Sequence, residues 1–198
     1  MLLASDDVAI ERSAVWSISH LVKQTFILSI MTTRSTVAQI IGLIGWLALV
    51  AVAAAVGSAA SIEASGLYKE LVQPGWAPPA GAFGPVWTVL YILMGVAMWL
   101  VWREPNAPGM RTAMTLFVVQ LCANALWSWL FFAWQQGAWA FAEVLVLLAL
   151  IVATTAAFWR IHRLAGVLML PYIAWVCVAS ALTWSVWKAN PAVLGGDR

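Results

Sequence analysis

Apolar residues run through this chain in long blocks, and the charged positions that interrupt them are few and clustered. No charged residue occurs between Arg34 and Glu63, Glu70 and Arg103, Arg111 and Glu143, Glu143 and Arg160, or Arg163 and Lys188. A helix needs about 20 apolar residues to cross a hydrocarbon core of roughly 30 Å, and each interval can hold such a segment. The pattern predicts five spans: Val37 to Ala60, Gly84 to Trp102, Thr112 to Ala133, Ala138 to Trp159 and Leu164 to Trp187. In lipid every backbone donor must find its acceptor within the segment, which selects helices, and the alternation of a membrane barrel is absent. The fold class is therefore all-α, an integral membrane bundle of five transmembrane helices. Residues 1–34 read as a flexible N-terminal extension, with Met31 an alternative start, 35–191 as the membrane domain and 192–198 as a C-terminal tail. A cleaved signal peptide is the competing reading of the first span, through Gly57-Ser58-Ala59-Ala60, but its apolar stretch exceeds a usual h-region.

Helical spacing picks out stripes within the spans. In the third, Gln120, Asn124, Trp127 and Phe131 share one face. Amides are costly in hydrocarbon, so that face points into the bundle, where it either ties helices together or lines a polar cavity. The second span carries Trp87, Tyr91, Met94, Met98 and Trp102 on one stripe, and Pro85, tolerated in a first turn, is expected to open it. The fifth aligns Pro171, Trp175, Ala179 and Leu182; the fourth has Trp139, Ala142, Glu143 and Val146. In the first, Ala51 with Ala55 and Ala53 with Gly57 are small-residue pairs that permit close helix contact.

Composition sharpens this picture: 64% of the 198 residues are hydrophobic and 9% charged, against about a quarter charged in a soluble domain. Arg12, Lys23, Arg34, Arg103, Arg111, Arg160 and Arg163 fall on one side of the predicted membrane, and Lys69, Lys188 and Arg198 on the other. The first side is cytoplasmic if the protein occupies an inner membrane. A bacterial cell membrane is expected, inner or outer left open. The net charge of +2 follows from this loop bias, and no basic stripe points to nucleic acid. Fourteen tryptophans require a role. Trp102, Trp134, Trp159 and Trp187, near span ends, suit an interfacial belt. Trp87, Trp127 and Trp175 lie on inward stripes, where they either pack the core or wall a cavity for a flat, apolar, aromatic molecule.

Reactive groups are sparse. Cys122 and Cys177 lie mid-span without partners and read as small core residues, and no metal-ligand spacing occurs. His20 and His162 fall outside the spans, so no histidine can ligate a haem iron deep in the bilayer. Glu143 is the one acid within a span, a structural or cavity-mouth group. No cofactor is required by any motif.

Tyr68, Pro74, Trp76, Pro78-Pro79, Phe83, Pro85, Trp87 and Leu90-Tyr91, followed in order by Gln120-Leu121, Asn124, Trp127, Phe131-Phe132, Trp139, Pro171-Tyr172, Trp175, Ala179 and Leu182, resemble the tryptophan-rich sensory protein family, also called translocator proteins or peripheral benzodiazepine receptors. The resemblance runs from about Val37 to Pro191. It implies a five-helix bundle, commonly a homodimer, that binds porphyrins and, in eukaryotic members, cholesterol and benzodiazepine-type drugs. It also implies a ligand cavity under the first loop. Trp87 and Trp175 match the indoles that flank ligands; Phe83, Trp139, Ala142, Ala179 and Leu182 match other lining positions; Asn124 and Trp127 match polar and aromatic positions of the third helix. Tyr68, Tyr91 and Gln120 complete the expected ligand-binding set.

Three positions depart from the family pattern. Leu67 replaces a tryptophan, Thr183 replaces an asparagine, and the cholesterol motif is not met near Lys188, so a sterol ligand is not expected. The expected function is binding of a porphyrin, another tetrapyrrole or a similar flat apolar molecule, with regulation or trafficking of that compound, and membrane lipid is a further expected partner. The alternatives are light- and oxygen-dependent porphyrin breakdown, implied for some bacterial members through the pair matching Trp87 and Trp175, and transport. The prolines of the first loop suit either a preordered lid, with Trp76 and Phe83 beneath it, or a stiff interfacial connection.

Overall fold

The computed structural model describes residues 34–62 and 64–195, together with Trp16, His20 and Lys23. The rest of the N-terminal extension, Met31 included, and residues 196–198 lie outside the described residues. The chain forms two compact units, Met1–Ala38 and Gln39–Arg198. Within the described residues from 34 onward the α-helices are, in order, α1 Thr36–Ala59, α2 Ala64–Glu70, α3 Ala80–Trp102, α4 Met110–Ser128, α5 Gly137–Ile161, α6 Arg163–Ala189 and α7 Pro191–Leu194, with a π turn, Trp129–Ala133, extending α4. Five are long and apolar enough to cross a membrane, and the protein is a multi-pass membrane protein.

Helix α3 begins four residues before the expected Gly84. Pro79, extended at φ −62° and ψ 144°, supplies the carbonyl that accepts from Ala82 N–H at 2.9 Å and so starts the helix. Pro85 lies inside it instead of opening it. The donor it lacks would have served the carbonyl of Gly81, an exposed residue in the first turn, where the loss costs least. At the end of α4 the π turn returns Trp134 N–H to the carbonyl of Trp129 at 2.8 Å. Gln135, at φ 54°, then reverses the chain, and Gln136 N–H reaches back to Leu130 O at 2.8 Å. This left-handed residue closes the helix as a C-terminal glycine often does.

Lipid offers no hydrophobic drive for helices to associate, so close packing has to hold them. Helices α5 and α6 pack most extensively, α4 lies along α5, and α3 lies along α6. Phe117 of α4 and Phe158 of α5, both fully buried, stack with ring centroids 5.8 Å apart. Met94, Ala97 and Met98 of α3 and Met169 of α6 are also fully excluded from solvent and fill the same half. Thr154, Thr155 and Ser180 return their hydroxyls to carbonyls one turn back, which removes the cost of burying them.

Helix α1 is the least buried of the five. It touches α3 at one end, where Gly95 lets Leu47 and Val50 approach, a Cβ there falling 2.7 Å from Leu47 Cδ2. Trp102 lies directly on Gly42, and Trp99 Nε1 donates to Gln39 O at 2.9 Å. Its other end crosses to α4: Gly57 faces Ser128, and Trp129 Nε1 donates to Val56 O at 3.2 Å. Between these contacts its facing residues are alanines.

The end tryptophans divide. Trp134 and Trp159 are about half exposed, as a belt requires, with Trp159 also lying against Gly166, whereas Trp102 and Trp187 are half-buried against Gly42 and Gly137. Cys122 and Cys177 are exposed outer-face residues, contrary to their reading as core. After α6 the chain turns back, and Leu194 of the expected tail is fully buried.

Candidate functional site

Where α1 passes from α3 to α4, its small side chains leave space. A cavity of about 810 Å³ opens there between α1, α3, α4 and α6, beneath α2. Ala51, Ala54 and Ala55 form the α1 wall, Phe83, Trp87 and Tyr91 the α3 wall, and Trp127, Phe131 and Phe132 the α4 wall. Trp175, Ala179 and Leu182 come from α6, and Tyr68 of α2 adds a ring beside Phe83.

Ring geometry links the walls. Tyr68 meets Phe83 edge-on at 5.4 Å, and Phe83 meets Trp175 edge-on at 5.8 Å. Trp87 contacts Tyr91 at 5.6 Å and Tyr172 at 6.1 Å. On the α4 side Trp127 stacks on Phe131, 5.3 Å away with planes 14° apart, and takes Phe132 edge-on at 5.7 Å. Phe131 and Phe132, both within the π turn, lie on the same wall.

Polar groups gather at the floor. Tyr91 O–H donates to Asn124 Oδ1 at 2.5 Å, and Asn124 Nδ2 donates to the Tyr172 hydroxyl at 3.0 Å. One amide thus joins α3, α4 and α6 and also lies on the cavity lining. The hydroxyls of Ser58 and Thr88 on the walls bond to carbonyls of their own helices, and that of Ser61, just past α1, bonds to Gly57 O. The buried indole nitrogens of Trp127 and Trp175 have no hydrogen-bond partner. The cavity is therefore lined mainly by apolar side chains, and these two nitrogens are shielded from its space.

Nine of the expected residues line this space: Tyr68, Phe83, Trp87, Tyr91, Asn124, Trp127, Trp175, Ala179 and Leu182. Three do not. Gln120 is fully buried below the cavity, its Nε2 3.9 Å from the Met94 sulfur and its Oε1 without a partner. Trp139 is 67% exposed and Ala142 is exposed, both on α5. Helix α5 packs against α4 and α6 and contributes nothing to the cavity, which removes these two residues from its wall. Glu143, on the same helix, is likewise not at the cavity mouth; its Oε2 is buried without a hydrogen-bond partner. Pro171 is exposed although it shares a stripe with Trp175. Trp76 is 53% exposed and does not form the underside of the lid; Tyr68 does. The α1 wall was missed, although its Ala51 and Ala55 pair was visible as a contact motif.

A membrane bundle of five helices with an aromatic-walled cavity beneath its first loop defines the class. Residues 45–188 match the family model described as the TspO/MBR family, and the chain belongs to that family. It is 35% identical to the human (Homo sapiens) "Translocator protein" over 133 residues, 66% of this chain and 79% of that one. It is 37% identical to "Tryptophan-rich protein TspO" of Chlorobaculum tepidum over 132 residues, 65% of this chain and 82% of that protein. With "Protein CrtK" of Rhodobacter capsulatus it shares 33% over 143 residues, 72% of this chain and 89% of that protein.

Proposed function

We propose that this protein binds a porphyrin or related tetrapyrrole in the cavity beneath α2 and regulates or traffics it. The observation that carries this reading is the convergence of Trp87, Trp127 and Trp175 from three helices on one hollow of about 810 Å³. That volume lies in the range of small-molecule pockets, about 300–1,000 Å³. Flat rings gain dispersion and edge-to-face contacts from such walls. The alanines of α1 add no bulk in the direction a broad macrocycle would extend.

Titrating the detergent-purified protein with protoporphyrin tests it. Saturable quenching of tryptophan fluorescence is expected, and Trp87→Ala with Trp175→Ala should weaken binding at least about tenfold. Unchanged affinity in the double variant would remove both indoles from the site. The same titration run in the dark and under illumination separates binding from photochemical breakdown, which would appear as light-dependent loss of porphyrin absorbance with a defined product.

A further inference from the structure

The lid is held by a residue far from it in sequence. Asn190, at the C-terminal end of α6 and only 8% exposed, reaches the segment that follows α2. Its Oδ1 accepts from Val72 N–H at 2.8 Å, and its Nδ2 donates to Val72 O at 2.9 Å. The same Nδ2 donates to Val186 O at 2.7 Å, which fixes the amide to the end of its own helix. One side chain therefore satisfies both backbone groups of Val72, as a neighbouring strand would, across 118 residues of sequence. The main chain of Asn190 then starts α7, its carbonyl accepting from Val193 and Leu194, and Leu194 packs in one apolar cluster with Tyr68 and Leu71. Glu70 ends α2, and the other hydrogen bonds of the segment are local: Gln73 Nε2 donates to Tyr68 O, and Tyr68 O–H donates to Pro78 O at 3.1 Å, while the Tyr68 ring packs edge-on against Phe83.

We propose that Asn190 is the latch of the lid, a positioning residue that holds Tyr68 over the cavity mouth and thereby sets the rate at which ligand enters and leaves. This rests on the reading that the cavity takes a ligand. Tyr68 lines the cavity and is tied to the Asn190 contact by four residues of chain, so release of Val72 loosens the segment that carries this ring and leaves it held by its own packing and its bond to Pro78 O. The latch touches no other cavity-lining residue named above, so breaking it changes passage more than the walls. A gate gives a distinct kinetic signature: association and dissociation accelerate together, and affinity changes less than either rate. Damage to the walls raises dissociation and weakens affinity in proportion.

The test uses Asn190→Ala and Asn190→Asp in the full chain. Asp keeps the size and the acceptor for Val72 N–H but turns an oxygen toward the carbonyls of Val72 and Val186, so it should open the lid at least as far as Ala. Hydrogen exchange at the Val72 amide, which needs no ligand, should speed up roughly tenfold or more in both variants. The amides of Ala97 and Met98 in α3 should keep their protection, which separates a released lid from a misfolded bundle. Stopped-flow quenching with protoporphyrin should show both rate constants raised by a similar factor. Unchanged exchange at Val72 would overturn the latch. Faster exchange with unaltered porphyrin rates would overturn its control of passage. Absence of porphyrin binding by the unmodified protein would sink the ligand reading, while exchange at Val72 still decides whether Asn190 holds the lid.

Discussion

The two halves of the bundle are built from equally apolar helices, yet one is filled and the other hollow. In the filled half Phe117 and Phe158 stack, Met94 and Met98 occupy the centre, and Trp46 of α1 meets Phe117 edge-on at 6.1 Å. In the hollow half α1 presents Ala51, Ala54 and Ala55, and the large rings opposite them meet one another but nothing bulky on α1. The difference lies in the size of side chains on one helix and in where that helix changes neighbours. Hydrophobicity, the same in both halves, has no part in it.

The contrast can be broken most strongly at its filled end. Phe117→Ala should destabilise the protein by about 3–5 kcal/mol, because the vacated space is enclosed on all sides. Phe83→Ala, at the edge of the existing hollow, should cost about 1 kcal/mol or less, since one flank of that ring already lacks partners. Unfolding both variants with denaturing detergent in mixed micelles measures the gap. Next in size, Ala54→Phe should weaken porphyrin binding at least about tenfold while the unfolding midpoint holds or rises, because the new ring occupies space that no side chain fills. A fall in stability equal to the loss of binding would show that α1 cannot accept bulk there and that the hollow is not free.

The smallest effect concerns the lid. Burial raises the Tyr68 hydroxyl above its ordinary pKa of 10.0, so the folded lid favours the neutral form. The stabilisation this contributes is complete below the unfolded value and is lost as pH rises through the folded one, when the donor to Pro78 O disappears. Porphyrin dissociation should therefore quicken slightly above about pH 10, and Tyr68→Phe should abolish that rise. A pH dependence that persists in Tyr68→Phe would assign it elsewhere.

The spans were legible because charge cannot enter the hydrocarbon, and the charge-free intervals located all five. Their inward faces were legible only where polar or aromatic residues marked them, as with Asn124 and Trp127 on α4. Helix α1 carries no such mark: its outward Ile40, Ile41 and Ile44 and its inward alanines are equally apolar, so the wall it forms could not be told from its lipid face. Trp139 and Ala142 came from the family resemblance. Their exclusion follows from the order in which α4, α5 and α6 pack, which periodicity along one helix does not contain. The clamp on Val72 was invisible for a related reason, since an asparagine near a helix end reads as a local cap.

His162 alone joins α5 to α6, extended at φ −147° and ψ 108°, whereas the link from α1 to α3 contains α2 and the prolines that follow it. A single-residue hinge leaves the two longest helices no freedom to slide apart. The α5–α6 pair is thus tethered tightly at one end, whereas α1, the least buried of the five long helices, is joined to its neighbour by a far longer strap.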